Sequence, residues 1–405
     1  MKANDNNTNK ISNGVKRRNN NFTRLLRLVS VRRDHSRNDS HCEPEGRGNP
    51  DTNFRVVTAL LLMVTLFLPM LLSSAQGEDK KSSQDKTNVN NVVGKGLDYL
   101  ARTQNANGSW TCQIGYKLND TYQGEENENV GITAIAGIAF LAQGNVPGKG
   151  KYGTNVEKAV QFVLSCARET DGYITKHGTR MYEHGFATLF LAEVYGMTRR
   201  EDVKSRLKNS AQLIVNSQHP EGGWRYQPSP LDADISVTVT TLQALRACRN
   251  VGIAVPKEVI DKAVSYVKKS YVALPGSMGA FNYQLTPPSR ISFALTSAGV
   301  TALMSAGEYN TLEVQRGINY IMNPKNLPGS YGDYHYYYGH YYAVQALFQA
   351  GGKNWEYYFG RVRNEIIVSQ QPDGSWTDDV GPAYATAMAC IILQIPNDYL
   401  PIFQR

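Results

Sequence analysis

Gln104-Asn105-Ala106-Asn107-Gly108-Ser109-Trp110 closes an amphipathic stretch that opens with Lys95-Gly96-Leu97-Asp98-Tyr99-Leu100. The same Gln-x3-Gly-x-Trp spacing returns at Gln218-His219-Pro220-Glu221-Gly222-Gly223-Trp224 and at Gln370-Gln371-Pro372-Asp373-Gly374-Ser375-Trp376. Three of the four tryptophans of the chain hold this one position. Weaker copies end at Gly172-Tyr173, Gly279-Ala280-Phe281 and Gly329-Ser330-Tyr331. An aromatic therefore recurs at 110, 173, 224, 281, 331 and 376, and such self-similarity marks a repeat architecture.

After each aromatic comes a second, more apolar helical pattern. The cores are Ile132–Ala142, Ala187–Tyr195, Val237–Ala247, Leu295–Met304, Ala343–Ala350 and Ala385–Leu393. Each unit thus reads as helix, aromatic turn, loop, helix, with no strand pattern between them. Helix pairs bury their apolar faces only against neighbouring pairs. Six pairs can close a ring, apolar helices inside and amphipathic ones outside. In such a unit the Gln can bond exposed backbone at the end of the outer helix, and the Trp can cover the turn. The Gly between them permits the positive φ that a helix C-terminus favours. This is a stability motif, not a catalytic one.

The string at 95–110 resembles the "QW" repeat of squalene and hopene cyclases. The region 91–394 is similar to the α/α-toroid superfamily that also holds the protein prenyltransferase β-subunits. Met181-Tyr182-Glu183-His184-Gly185-Phe186-Ala187-Thr188 and the C-terminal 396–405 resemble secreted bacterial proteins with prenyltransferase/squalene-oxidase repeats. The resemblance implies an all-α (α/α)6 toroid and an isoprenoid, lipid or other apolar ligand. It does not fix an activity, because function lives in sites grafted on folds.

Aligning the six inner helices puts Thr133, Thr188, Thr238, Thr296, His340 and Thr386 in one register. Four residues earlier stand Asn129, His184, Asp234, Ser292, Tyr336 and Pro382. Positions i and i+4 share a helix face, so the first five pairs, Asn129/Thr133 to Tyr336/His340, are expected to form a polar collar at one mouth of the ring. Asp234 is the foremost catalytic candidate. Cyclases of the squalene-hopene type carry Asp-x-Asp-Asp, whose middle Asp is the acid; here the stretch reads Asp232-Ala233-Asp234-Ile235, and the last Asp is missing. Capping is the competing role, since Asn129, Asp234 and Ser292 are all N-cap types in one register. His184 and His340 are the further catalytic candidates, as general base or pH-sensitive groups. His340 resembles the zinc-binding His of protein prenyltransferases, but Ser289–Phe293 supplies no Asp-x-Cys, and one His does not make a zinc site. No metal and no cofactor is expected. Glu193, late in an inner helix, calls for a cationic partner. Tyr is abundant, with 24 in the chain and six between 334 and 342; aromatic walls suit isoprenoids or sugars.

No phosphate loop, Cys-x2-Cys pair, His-Glu-x2-His or Gly-x-Ser-x-Gly elbow occurs in the 405 residues. Lys+Arg number 43 against 35 Asp+Glu, but residues 1–55 hold 12 and 6 of these. The remainder is nearly neutral, which argues against a nucleic-acid partner. Residues 1–53 read as a disordered basic tail. The apolar run Val56–Leu72 ends at Ser73-Ser74-Ala75, so 54–75 reads as a signal peptide for export, with an uncleaved membrane anchor as the alternative. Residues 76–90 are a linker and 91–405 the toroid. Cys112, Cys166, Cys248 and Cys390 would remain after cleavage; they allow three pairings but read as small buried hydrophobes.

The expected function is an exported binding or scaffold relative of the cyclases that has lost their chemistry. The first alternative is a terpenoid-cyclase-like enzyme with Asp234 as acid beside His184 or His340. The second is a carbohydrate-active (α/α)6 enzyme, which needs paired carboxylates such as Asp234 with Glu183 or Asp378 with Asp379.

Overall fold

The computed structural model describes residues 86–114, 125–176, 180–329 and 335–404. The basic tail, the signal or anchor segment and most of the linker lie outside the described residues, as do Ser330 and Tyr331 of the fifth aromatic turn. Among the described residues no helix is long and apolar enough to cross a membrane.

The six inner helices are α2 (Val130–Ala142), α4 (Met181–Thr198), α6 (Ile235–Asn250), α8 (Phe293–Ser305), α10 (Tyr336–Ala350) and α12 (Pro382–Gln394). The outer partner of each precedes it: α1 (86–103), α3 (Gly153–Ser165), α5 (Glu201–Asn216), α7 (Lys257–Lys269), α9 (Leu312–Met322) and α11 (Gly352–Val368). Each inner helix packs on the next, and α12 packs on α2, so the ring closes. The fold is an (α/α)6 toroid. Sequence character sets the layers. Every residue of α2 and of α8 is buried, because both are apolar all round. The outer α3 buries only a stripe through Val156, Ala159, Val160 and Val163.

Among the described residues two short antiparallel hairpins interrupt the helical pattern, against the expectation of no strands. One pairs β1 (Trp110–Ile114) with β2 (Glu125–Asn129); the other pairs β3 (Tyr271–Leu274) with β4 (Met278–Phe281). Both lie between an outer helix and its inner partner, where an aromatic residue must be buried. The Glu-Glu-Asn-Glu-Asn strand has little β-propensity, so its pairing left no trace in the sequence.

The Gln-Trp turns are the fasteners of the ring. Trp110, Trp224 and Trp376 each donate Nε1–H to a carbonyl ten residues back, on Leu100, Ile214 and Ile366. The Gln of each motif donates to the Gly carbonyl of its own turn and also to the next outer helix. Gln104 reaches Asn155, Gln218 reaches Val259, and Gln370 reaches Val92 at 2.9 Å, joining the last unit to the first. Gly108, Gly222 and Gly374 have φ of 92°, 109° and 90° and lie against the same neighbouring helices. A Cβ on Gly222 would meet the Lys262 carbonyl at 2.1 Å.

Candidate functional site

The N-termini of the inner helices gather the polar residues singled out above. Asn129, Asp234 and Ser292 cap α2, α6 and α8, each accepting from the backbone N–H three residues on. The threonine register does not form the expected collar. Thr133 and Thr238 donate back to the Asn129 and Asp234 carbonyls and accept the N–H of Trp110 and Trp224; Thr386 accepts that of Trp376. All five threonines are fully buried; Thr133, Thr238 and Thr386 face the tryptophan turns, while the Thr188 and Thr296 hydroxyls have no hydrogen-bond partner among the described residues. The helix-face argument was sound, but in the three tryptophan units the face meets the turn, where the threonine accepts the tryptophan amide.

Asp234 has no exposed surface. One carboxylate oxygen accepts from Val237 N at 2.9 Å and from Ser236 Oγ at 2.6 Å. The other accepts from Tyr283 Oη at 3.3 Å and lies 3.7 Å from Arg225 Nε. Burial raises its carboxyl above the ordinary value, and the hydrogen bonds and Arg225 oppose that rise. Around it lie half-buried tyrosines on four segments. Tyr182 hydrogen-bonds Ser236, Tyr226 and Tyr283 share a hydrogen bond of 2.5 Å, and Tyr338 donates to the Ser236 carbonyl. Arg180 and Arg225 lie over the Tyr226 ring, and Arg290 over Tyr283. Arg225 is also paired with Asp232. The result is an aromatic, hydroxyl-bearing mouth with a buried carboxylate beneath it.

The axis below this mouth is occupied by side chains. Phe186 on α4 and Tyr341 on α10 meet edge-on across the ring, with centroids 6.1 Å apart. Tyr342 and Thr240 share a hydrogen bond of 2.9 Å, and Gln243 donates to Gln345 at 2.7 Å. Phe403 lies against Tyr341 from the far end.

The two histidines are separate from Asp234. His184 accepts from Ile174 N at its Nδ1 and donates from Nε2 to the Ser210 carbonyl. Burial lowers it to about 4. His340 shares a hydrogen bond of 2.7 Å with Tyr358 and lies among Phe293, Tyr336 and Tyr358. Burial, helped by Arg361, lowers it to about 3. Among the described residues its Nε2 has no hydrogen-bond partner. No group of His, Cys, Asp and Glu there could hold a metal ion. The four described cysteines are unpaired thiols, and burial raises Cys112 and Cys248 to about 12.

The Asp378-Asp379 pair named from the sequence lies at the same rim. Asp378 precedes α12 by four residues and accepts from Val380 N at 2.9 Å. Burial, together with the like charge of Asp379, raises Asp378 to about 6. The adjacency Asp378-Asp379 was visible; the burial that distinguishes them was not.

No family profile matches the chain, and no curated protein does either. Solved structures do. An inactive variant of the α-1,6-mannanase GH76A of Salegentibacter sp. HEL1_6, with two adjacent aspartates replaced and α-1,6-mannotriose bound, superposes with a TM-score of 0.57 at 9% identity. The match covers 76% of this chain and 98% of that one. The type II terpene cyclase MstE from Scytonema gives 0.54 at 12% identity, covering 78% and 99%. A protein from Actinoplanes gives 0.50 at 13%, covering 76% and 98%. What these proteins share with the chain is the toroid. At such identities the likeness extends to the fold and no further.

Proposed function

We propose that the protein is an exported toroid that binds a hydroxyl-rich ligand, of the glycan kind, at its tyrosine mouth and performs no cyclase chemistry there. The observation that carries this reading is the state of Asp234. Its two oxygens are engaged by a helix amide, two hydroxyls and an arginine, and no surface of it is open. A Brønsted acid must touch the atom it protonates. The Phe186–Tyr341 contact also crosses the axis where a polyprenyl chain would lie. The half-buried Tyr182, Tyr226 and Tyr283 bring hydroxyls together with the Arg180, Arg225 and Arg290 guanidinium groups at the mouth, a polar surface that suits sugars better than hydrocarbon. The test is native mass spectrometry of the tail-free chain with oligosaccharides and with squalene. Sugar adducts lost in Tyr226→Ala support the reading. Retained squalene, or a cyclised product abolished by Asp234→Asn, overturns it.

One observation favours a second reading, a carbohydrate-cleaving enzyme. Asp378 is raised to about 6, the range of a general acid, beside a second carboxylate. The mannanase above was inactivated by replacing two adjacent aspartates. Release of sugar from α-1,6-mannan that stops in both Asp378→Asn and Asp379→Asn would establish it. No release by the wild-type chain would remove it.

A further inference from the structure

At the end of the ring opposite the tyrosine mouth, α6 and α8 finish side by side and leave a recess of about 350 Å³. Its lining includes Leu242, Arg246, Arg249 and Asn250 from α6, Ile260 from α7 and Ser305 from α8. Two of these side chains carry hydrogen-bonding atoms that nothing among the described residues satisfies. Arg246 donates from Nη2 to the Gln404 carbonyl, but its Nη1 is buried without a partner. Ser305 is 7% exposed, and its Oγ is likewise buried without a partner. A buried guanidinium N–H left unmet is costly, more so than a neutral donor. The carboxyl acting on Arg246 is Glu193, which burial raises to about 7, so near neutrality it balances the guanidinium only in part. Arg249, on the next turn of α6, is exposed.

We infer that this recess is a binding site for an oxyanion carried on a compact apolar body, a phosphate monoester or an organic acid. Arg246 and Arg249 would hold the oxyanion, Ser305 would donate its hydroxyl, and Leu242 and Ile260 would cover the body. The volume sits at the small end of ligand pockets. The site is independent of the tyrosine mouth, so neither result there bears on it.

Calorimetric titration of the tail-free chain with phenyl phosphate tests the inference, with benzyl alcohol as the uncharged counterpart. Phenyl phosphate should bind, weaken with added salt, and bind about tenfold or more weakly to Arg249→Ala, the loss expected for a charge-assisted hydrogen bond. Ser305→Ala, which keeps the helix and the tail contacts, should weaken it by a smaller factor. No heat with phenyl phosphate, equal affinity for benzyl alcohol, or unchanged affinity in both variants would each overturn the assignment.

Discussion

At the residue scale the repeat motif makes two demands that can be separated. Gln218 ties its own turn to the following outer helix through the Gly222 and Val259 carbonyls. Gln218→Ala leaves both without that donor and should lower the unfolding free energy by about 1–3 kcal/mol, read from the urea midpoint. Gly222→Ala should cost more, because a φ of 109° is strained for alanine and its Cβ would strike the Lys262 carbonyl. If Gly222→Ala melts with the wild type, the turn is not held as described. The histidines make a second prediction. Each is buried, and burial disfavours the charged ring, so both should stay neutral well below pH 6. Their depressed values mean that stability is intact above the unfolded histidine range and falls as pH drops through about 4. Nitrogen shifts in a pH titration should show His184 with its proton on Nε2. A His184 titrating near 6.5 would contradict the bonds from Ile174 and to Ser210.

At the element scale the inner helices show which local signals can be read and which cannot. The caps of α2, α6 and α8 were legible, since Asn129, Asp234 and Ser292 are short polar acceptors at the start of apolar runs. The ring order was legible too, because the inner helix of each pair is the more apolar and the outer ones carry a single buried stripe. The direction of the threonine face was not. Periodicity places Thr133 and Asn129 on one side of a helix, but only packing decides whether that side meets an opening or an aromatic turn. Of the hairpin strands, Trp110–Ile114 alternates apolar and polar residues but is only five residues long, and its partner Glu125–Asn129 has no such alternation. Asp234 offers the decisive contrast between cap and acid. Asn is as good an N-cap as Asp, so Asp234→Asn should lose little stability and Asp234→Ala about 1–2 kcal/mol or more. Under the binding reading Asp234→Asn keeps ligand affinity; loss of a chemical turnover in that variant alone would identify an acid.

At the scale of the whole molecule the C-terminal segment closes the ring from below. Leu400, Ile402 and Phe403 are buried, Phe403 meets Tyr341, and its carbonyl accepts from Gln349. The latch is polar. Glu193 on α4 accepts the Ile402 amide, Arg246 on α6 attracts it, and Tyr341 on α10 is the titratable neighbour across the ring. Burial is the largest influence and raises Glu193 to about 7, from an ordinary value of 4.5. The folded state therefore holds this proton more tightly than the unfolded chain. Below about 4.5 both states are protonated and the latch carries no penalty. Between 4.5 and 7 the unfolded chain releases its proton first, so stability falls as pH rises, by up to about 3 kcal/mol once both are ionised. Glu193→Gln can still accept the Ile402 amide but cannot ionise. It should therefore melt with the wild type near pH 4.5 and above it at pH 8, and its tail should resist carboxypeptidase better at the higher pH. Parallel melting curves for the two proteins from pH 4.5 to 8 would show that Glu193 is ionised throughout, and that Arg246 balances it after all.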